Sequence, residues 1–186
     1  MIRALLTLLG LVALLAGAGG AAVVVGLFYF GRGLPDYRQL AVYEPPVMTR
    51  VYAGDGRLMA EYAVEKRVFV PVGAIPKRVV QAFLSAEDKN FYQHPGIDVV
   101  GVARAAVMNL RSFGQQRRPA GASTITQQVA KNFLLSNEVS IERKIKEAIL
   151  AFRIEHAISK DRILELYLNE IYLGLGSYGV AAAALN

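Results

Sequence analysis

"KRVVQAFLSAEDKNFYQHPGID", Lys77 to Asp98, marks the point at which this chain turns helical. At about 100° of rotation per residue, Val79, Val80, Phe83 and Leu84 fall in one arc roughly 140° wide, with Glu87 near its middle and Asp88 at its edge. Arg78 and Lys89 take the far side. The spacing predicts an amphipathic helix over Lys77 to Lys89 that carries an acid on the face it buries. A carboxylate in an apolar setting neutralises or finds partners, because desolvation disfavours its charged form. A raised pKa is also what a general base or acid needs near neutral pH. The competing reading is a cap or ion pair at the helix end, ahead of the His94-Pro95-Gly96 turn. Phe91 and Tyr92 read as core more than as a substrate platform. His94 reads as a hydrogen-bonding loop anchor, since no second His or Cys stands nearby at ligand spacing.

Upstream, no charged residue occurs from Ala4 to Phe30, a run longer than the ~20 residues that cross a bilayer as a helix. Two readings compete: an uncleaved signal anchor, and a cleaved signal peptide with "AGAGGAA" as its processing site. "VVVGLFYF" carries the apolar run onward and favours the anchor. Arg3 on one side and Arg32 and Arg38 on the other leave the orientation open. The expected organisation is residues 1–31 as cytoplasmic tip and transmembrane anchor, 32–48 as linker, and 49–186 as the functional domain.

The chain of 186 residues carries 21 Lys+Arg against 15 Asp+Glu, a net charge of +6. That balance suits an anionic membrane surface or a phosphate-bearing substrate. The basic residues are scattered among acids and form no arm or stripe, which argues against nucleic acid as partner. With no Cys, disulfides, thiol catalysis and Cys metal sites are excluded.

Within 49–186, "TRVYAGDGRLMAEY" has two β-rich runs flanking Gly54-Asp55-Gly56, a hairpin signal. "KRVFVPVGAIP" reads as another short strand or extended segment. Helical periodicity then continues, with breaks near His94 to Gly96, Gly114 to Gly121, Ser136-Asn137, Ser159 and Gly174 to Gly179. The fold class is mainly α with a small β-hairpin element.

Three further stretches carry chemistry. "GASTITQQVAKN" sets Ser123, Thr124, Thr126, Gln127 and Gln128 at a helix start, as a cap or as a place for an anionic or polyol ligand, with Lys131 close by. Just before it, Arg117-Arg118-Pro119 lies in a loop that reads as a solvated basic loop, with membrane or substrate contact as the alternative. "SIERKIKEAILAFRIE" opens on Ser140 as cap, with an apolar stripe of Ile141, Ile145, Ala148, Ile149 and Phe152. On another face Arg143, Lys144 and Glu147 are neighbours, either an i, i+4 ion pair or two cations beside an acid that could hold a pyrophosphate. In "KDRILELYLNEIYLG", Ile163, Leu164, Tyr167, Leu168 and Ile171 point inward, and Glu165 and Asn169 share a face that braces neighbouring helices. His156, the remaining His, reads as a partly exposed helix residue.

"EDKNFYQHPG", "RAAVMN" (Arg104 to Asn109), "GASTITQQ", "RKIKE" and "KDRILELYLN", in this order, resemble the five motifs of glycosyltransferase family 51, the transferase domain of class A penicillin-binding proteins. The resemblance covers roughly Thr49 to Asn186. It implies a lysozyme-like, mainly α fold behind one transmembrane helix. The domain would sit on the outer face of the cytoplasmic membrane, with the N-terminus inside. The implied reaction is polymerisation of lipid II into glycan strands, with inversion and release of undecaprenyl pyrophosphate. In that resemblance Glu87 is the catalytic base and Glu147 the second acid near the donor. Arg143 and Lys144 neutralise the leaving pyrophosphate, with Lys131 auxiliary. Ser123, Thr124, Gln127 and Gln128 line the substrate cleft, supported by Asp88, Phe91 and His94. No metal ligand is expected, although some members use a divalent cation, Mg2+ or Mn2+, at the pyrophosphate. The implied partners are lipid II, the growing glycan strand, the membrane and other cell-wall synthesis proteins. No S-x-x-K transpeptidase motif is present and "YGVAAAALN" stops inside an expected helix, so a C-terminally truncated chain is expected. Two rival functions are a glycan-cleaving enzyme of lysozyme-like fold and a non-catalytic lipid II-binding fragment.

Overall fold

Seven helices and two small sheets make up the computed structural model, which describes residues 2–44, 49–62, 66–112, 121–136 and 138–186. Helix α1, Ile2–Gly31, is the apolar N-terminal run. Its stretch Leu9–Gly31 is long and apolar enough to cross a membrane and is not buried by the rest of the chain. At its end, the Gly31 carbonyl accepts a hydrogen bond from Nη2 of Arg153, 3.5 Å away. The chain then runs through a 3-10 turn at Tyr37–Ala41, capped by the Asp36 side chain, which accepts from the Arg38 amide.

Strands β1, Thr49–Tyr52, and β2, Leu58–Tyr62, form the expected antiparallel hairpin. Its turn is closed by the Gly56 amide on the Ala53 carbonyl at 2.9 Å. Gly56 has φ +83°, a value that favours a residue without a Cβ. The next run gives only the two-residue β3, Lys66–Arg67, and it does not extend the hairpin. It pairs in parallel with β4, Ser177–Tyr178, more than a hundred residues later. An Arg67–Glu170 ion pair and the Arg67 guanidinium over the Tyr178 ring fix that junction.

The body is α2, Lys77–Glu87; α3, Val99–Arg111; α4, Ile125–Leu134; α5, Ile141–Ala157; α6, Lys160–Glu170; and α7, Val180–Leu185. Four of these starts have a side-chain cap. Asp98, Thr124, Ser140 and Ser159 cap α3, α4, α5 and α6 by accepting a backbone N–H with their side chains. At α4 the Gln127 side chain bonds back to the Thr124 amide, completing a capping box. The core is built on α6, whose Ile163, Leu164, Leu166, Tyr167 and Leu168 are all buried. Ile125, Val129 and Ala130 of α4 and Leu150 and Ile154 of α5 close over it. Leu40 of the 3-10 turn and Phe91 complete the cluster.

The structure corrects two sequence expectations here. Glu165 and Asn169 brace the segment ahead of α2, extended at Val70 and a 3-10 turn over Val72–Ala74, instead of neighbouring α-helices. Asn169 Oδ1 accepts from the Val70 amide at 2.8 Å, and its Nδ2 donates to the Val70 carbonyl at 2.9 Å. Glu165 Oε2 accepts from the Val72 amide at 2.9 Å. These bonds dock the segment that leads into α2. On α5, the apolar stripe read from the sequence is not the most buried one. Ile141 is 82% and Phe152 49% exposed, whereas Glu147, Leu150, Ala151 and Ile154 are buried. The helix has two apolar stripes, and the 3.6-residue period alone does not say which one meets the core.

Candidate active site

Helix α2 ends at Glu87, and Asp88 has already left the helical track at φ −158°, ψ 73°. The 100° extrapolation therefore fails at its last step. Glu87 is exposed, while Asp88 turns inward and is only 6% exposed. The expectation of a buried Glu87 is overturned: the helical track runs through Glu87, but the end of that face opens onto a cavity instead of the core.

Asp88 is fully engaged. Its Oδ1 and Oδ2 lie 2.9 and 3.0 Å from Nε2 of His94, and Oδ2 also accepts from the Ile125 amide at 3.1 Å. Nδ1 of His94 accepts from the Gly96 amide at 3.2 Å, which leaves the proton on Nε2 to be donated to Asp88. The same loop reaches α4, since Thr124 Oγ1 donates to the Gly96 carbonyl at 2.6 Å. Gly96, at φ +96°, leaves no room for a side chain: a Cβ there would lie 2.7 Å from the Ala151 backbone of α5. Lys160 adds a third anchor, donating to the His94 carbonyl at 2.8 Å and to Glu155 at 2.7 Å. The buried polar residues between α2 and α4 thus lock the start of α4 against the end of α2.

That lock presents Glu87 to solvent with one hydrogen-bond partner among the described residues: Nε2 of Gln128 donates to its Oε2 at 2.8 Å. Both carboxylates open onto a cavity of about 190 Å³ whose wall also holds Ser123, Thr124, Asp98 and Arg104. Asp98 caps α3 by accepting from the Gly101 amide at 2.8 Å, and Asn90 Nδ2 donates to it at 3.1 Å. The Gly101 bond, then Asn90 and the charge of Arg104, hold its carboxyl below the ordinary Asp range. Neither Asp98 nor Arg104 was singled out among the expected site residues. The usable signals were an Asp directly before an apolar run, which is a helix cap, and a cation one turn and a half further on.

The second acid sits behind this cavity. Glu147 is 2% exposed on the core side of α5. Lys144 Nζ donates to its Oε2 at 2.7 Å and to Ser123 Oγ at 2.5 Å, joining the buried acid to the cavity wall. Arg143 Nε stands 3.2 Å from Oε1 of Glu147, an ion pair whose angle falls short of a hydrogen bond. Of the expected site residues, Glu87, Asp88, Ser123 and Thr124 line the cavity; Gln128 reaches it through Glu87, and Glu147 and Lys144 through Ser123. Gln127 is consumed by the capping box. Phe91 is 1% and His94 8% exposed; they support the site from inside and do not present a surface to a ligand. Lys131 lies further along α4, away from the cavity wall. Arg117-Arg118-Pro119 falls outside the described residues.

Among the described residues, no group of three or more His, Asp and Glu side chains is placed to hold a metal ion. The Glu147 carboxylate is already taken by two cations. That cation-paired carboxylate does not suit a divalent ion.

The helical body thus follows an apolar N-terminal helix and holds an exposed acid at the mouth of a cavity, with a buried acid flanked by cations behind it. Residues 55–186 match the model of the transglycosylase family, and the chain belongs to that family. It is 57% identical over 175 residues, 94% of its length, to penicillin-binding protein 1A of Rickettsia felis. The corresponding protein of Rickettsia bellii is 55% identical over the whole chain, and that of Aquifex aeolicus 48% identical over 88% of it. The chain spans 22% to 24% of the length of these relatives.

Proposed function

We propose that this domain is a peptidoglycan glycosyltransferase that joins lipid II units into glycan strands, with Glu87 as the general base. The observation that carries the reading is the pairing of an exposed, oriented acid with a cation-flanked buried acid across one cavity wall. Glu87 takes the proton from the acceptor sugar's 4-hydroxyl. That oxygen attacks the anomeric carbon of the donor from the face opposite its pyrophosphate, the bond from carbon to pyrophosphate breaks, and the new linkage is inverted. Gln128 holds the Glu87 carboxylate in one orientation before the substrate arrives, which reduces the ordering required at the moment of reaction.

A pyrophosphate leaves readily once its charge is matched, so cations can serve where other glycosyl transfers need an acid. Lys144 and Arg143 supply that charge, and Glu147 between them sets their positions. Ser123 faces the sugars, while Thr124, its hydroxyl bonded to the Gly96 carbonyl and the Gln127 amide, holds the start of α4 beneath them. The apolar α1 anchors the domain at the depth where a lipid-linked substrate is held, with the domain on the extracytoplasmic side.

The experiment is polymerisation of labelled lipid II by the intact protein and by its Glu87→Gln variant. Polymer from the parent, and none from a variant with an unchanged circular dichroism spectrum, is expected. Shortening of added glycan strands with lipid II left intact would instead identify a glycan-cleaving enzyme. Tight binding without turnover would identify a lipid II-binding module.

A further inference from the structure

Glu155, towards the end of α5, is an acid for which the reaction has no use, yet its side chain is only 5% exposed. A carboxylate taken out of water needs donors. Two of them converge on one oxygen: Thr126 Oγ1 of α4 donates to Oε1 at 2.5 Å, and Lys160 Nζ, from the first residue of α6, donates to the same atom at 2.7 Å.

Each donor leads to Glu87 by its own route. Lys160 also donates to the His94 carbonyl and stands 4.4 Å from the centroid of the Phe91 ring. It thereby grips the loop whose His94 side chain is bonded to Asp88, the residue after Glu87. The same loop is pressed onto α5 at this point, since a Cβ on Gly96 would lie 3.1 Å from Glu155 Cγ. Thr126 belongs to the first turn of α4, two residues before Gln128, whose Nε2 donates to Glu87. One route fixes the backbone that carries the acid, and the other fixes the helix that orients its carboxylate. An ion pair that only closed the turn between α5 and α6 would involve neither α4 nor the loop after α2. Buried ion pairs add little stability over well-packed apolar groups, whereas their directional bonds fix geometry.

We propose that Glu155 is a positioning residue for the transfer reaction: through Lys160 and Thr126 it sets Glu87 and Gln128 in register without touching the substrate. Its kinetic consequence rests on the glycosyltransferase reading. Its structural consequence rests on the bond between Glu87 and Gln128 alone.

Two measurements on the intact protein test it, and the first needs no turnover. With isotope-labelled glutamine, the side-chain amide signal of Gln128 is assigned by its loss in Gln128→Ala, and its unbonded position is taken from Glu87→Ala. In Glu155→Ala the signal should move towards that unbonded position. Thr126→Val, which removes one hydroxyl and keeps the shape of the side chain, is read in the same way and keeps the test open if Glu155→Ala does not fold. A signal that stays at the parent position overturns the assignment.

The second measurement is polymerisation of lipid II. In Glu155→Ala kcat should fall by about tenfold or more, because a small misplacement of a reacting group is enough for such a loss. KM should change little, since the groups that hold the substrate stay in place. Glu155→Gln, which keeps an oxygen for both donors, should recover most of the loss. Combined with Gln128→Ala, the effect of Glu155→Ala on kcat should be clearly less than additive, because both act through one bond. Arg67→Ala breaks the ion pair to Glu170 at the other end of α6 and should leave kcat at the parent value. An equal fall in Arg67→Ala, or full additivity with Gln128→Ala, overturns the assignment. A parent protein that does not polymerise lipid II would refute the catalytic reading, while the Gln128 signal still decides the positioning.

Discussion

Nε2 of Gln128 donates a 2.8 Å hydrogen bond to Oε2 of Glu87, and this bond joins the last residue of α2 to the start of α4. The acid is exposed and its orientation is set by a helix that the buried Asp88 pins in place.

Glu87→Gln should therefore lower turnover by about 10²–10⁴-fold, the range for loss of a general base. Stability should stay within about 0.5 kcal/mol, as for most exposed positions. Gln128→Ala should lower kcat by a smaller factor, because the base remains but is no longer held. Equilibrium urea unfolding beside kcat separates the two effects: a large stability loss in Glu87→Gln would mark the residue as structural.

Asp88→Ala should act in the opposite way. It leaves the Nε2–H of His94 and the Ile125 amide buried without an acceptor, a loss of about 2–4 kcal/mol. His94→Ala should cost a comparable amount, and the double variant clearly less than the sum, because both changes break one network. A fully additive double-mutant cycle would show that the two side chains act independently.

Asp98→Ala removes the cap of α3 and should cost about 1 kcal/mol at neutral pH. The folded-state pKa of Asp98 is depressed, chiefly by the Gly101 amide. Its contribution is thus fully present above the unfolded value of about 3.9 and is lost as pH falls through the folded one. The stability difference between parent and variant should shrink as unfolding is measured from pH 6 down to about pH 3. A pH-independent difference would refute the carboxylate's role.

Tyr167 is 1% exposed and its hydroxyl has no hydrogen-bond partner among the described residues. Burial, then the charge of Glu87, hold its phenol above the ordinary Tyr range. Tyr167→Phe should be neutral or stabilising by about 1 kcal/mol, since it removes an unmatched polar atom and keeps the ring against Phe83. A raised folded pKa favours the native state below the unfolded value of about 10, and that advantage is lost as pH rises further. The parent should accordingly lose more stability than Tyr167→Phe above pH 10, which thermal unfolding in alkaline buffer reads out directly.

Much of this protein is set by local physics and could be read from the chain alone. Ser140 and Thr124 head their helices because short hydroxyl side chains satisfy free N–H groups within three residues. Gly54-Asp55-Gly56 turns the hairpin because Gly56 adopts positive φ. The apolar run to Phe30 is helical along its length, and five motifs in order sufficed for the family.

Only the tertiary structure decided which acid is buried, which stripe of α5 meets the core, and that Arg67 and Tyr178 share a sheet. Each depends on where the backbone departs from its own period, or on what another segment brings to the same place. Glu87 and Asp88 differ by one residue in sequence. A helix that ends between them sends one to solvent and the other to His94, and no regular periodicity encodes that reversal. The buried stripe of α5 even carries Glu147, so apolarity did not choose between the two: α4 and α6 covered that one, and the other was left beside α1 as a groove.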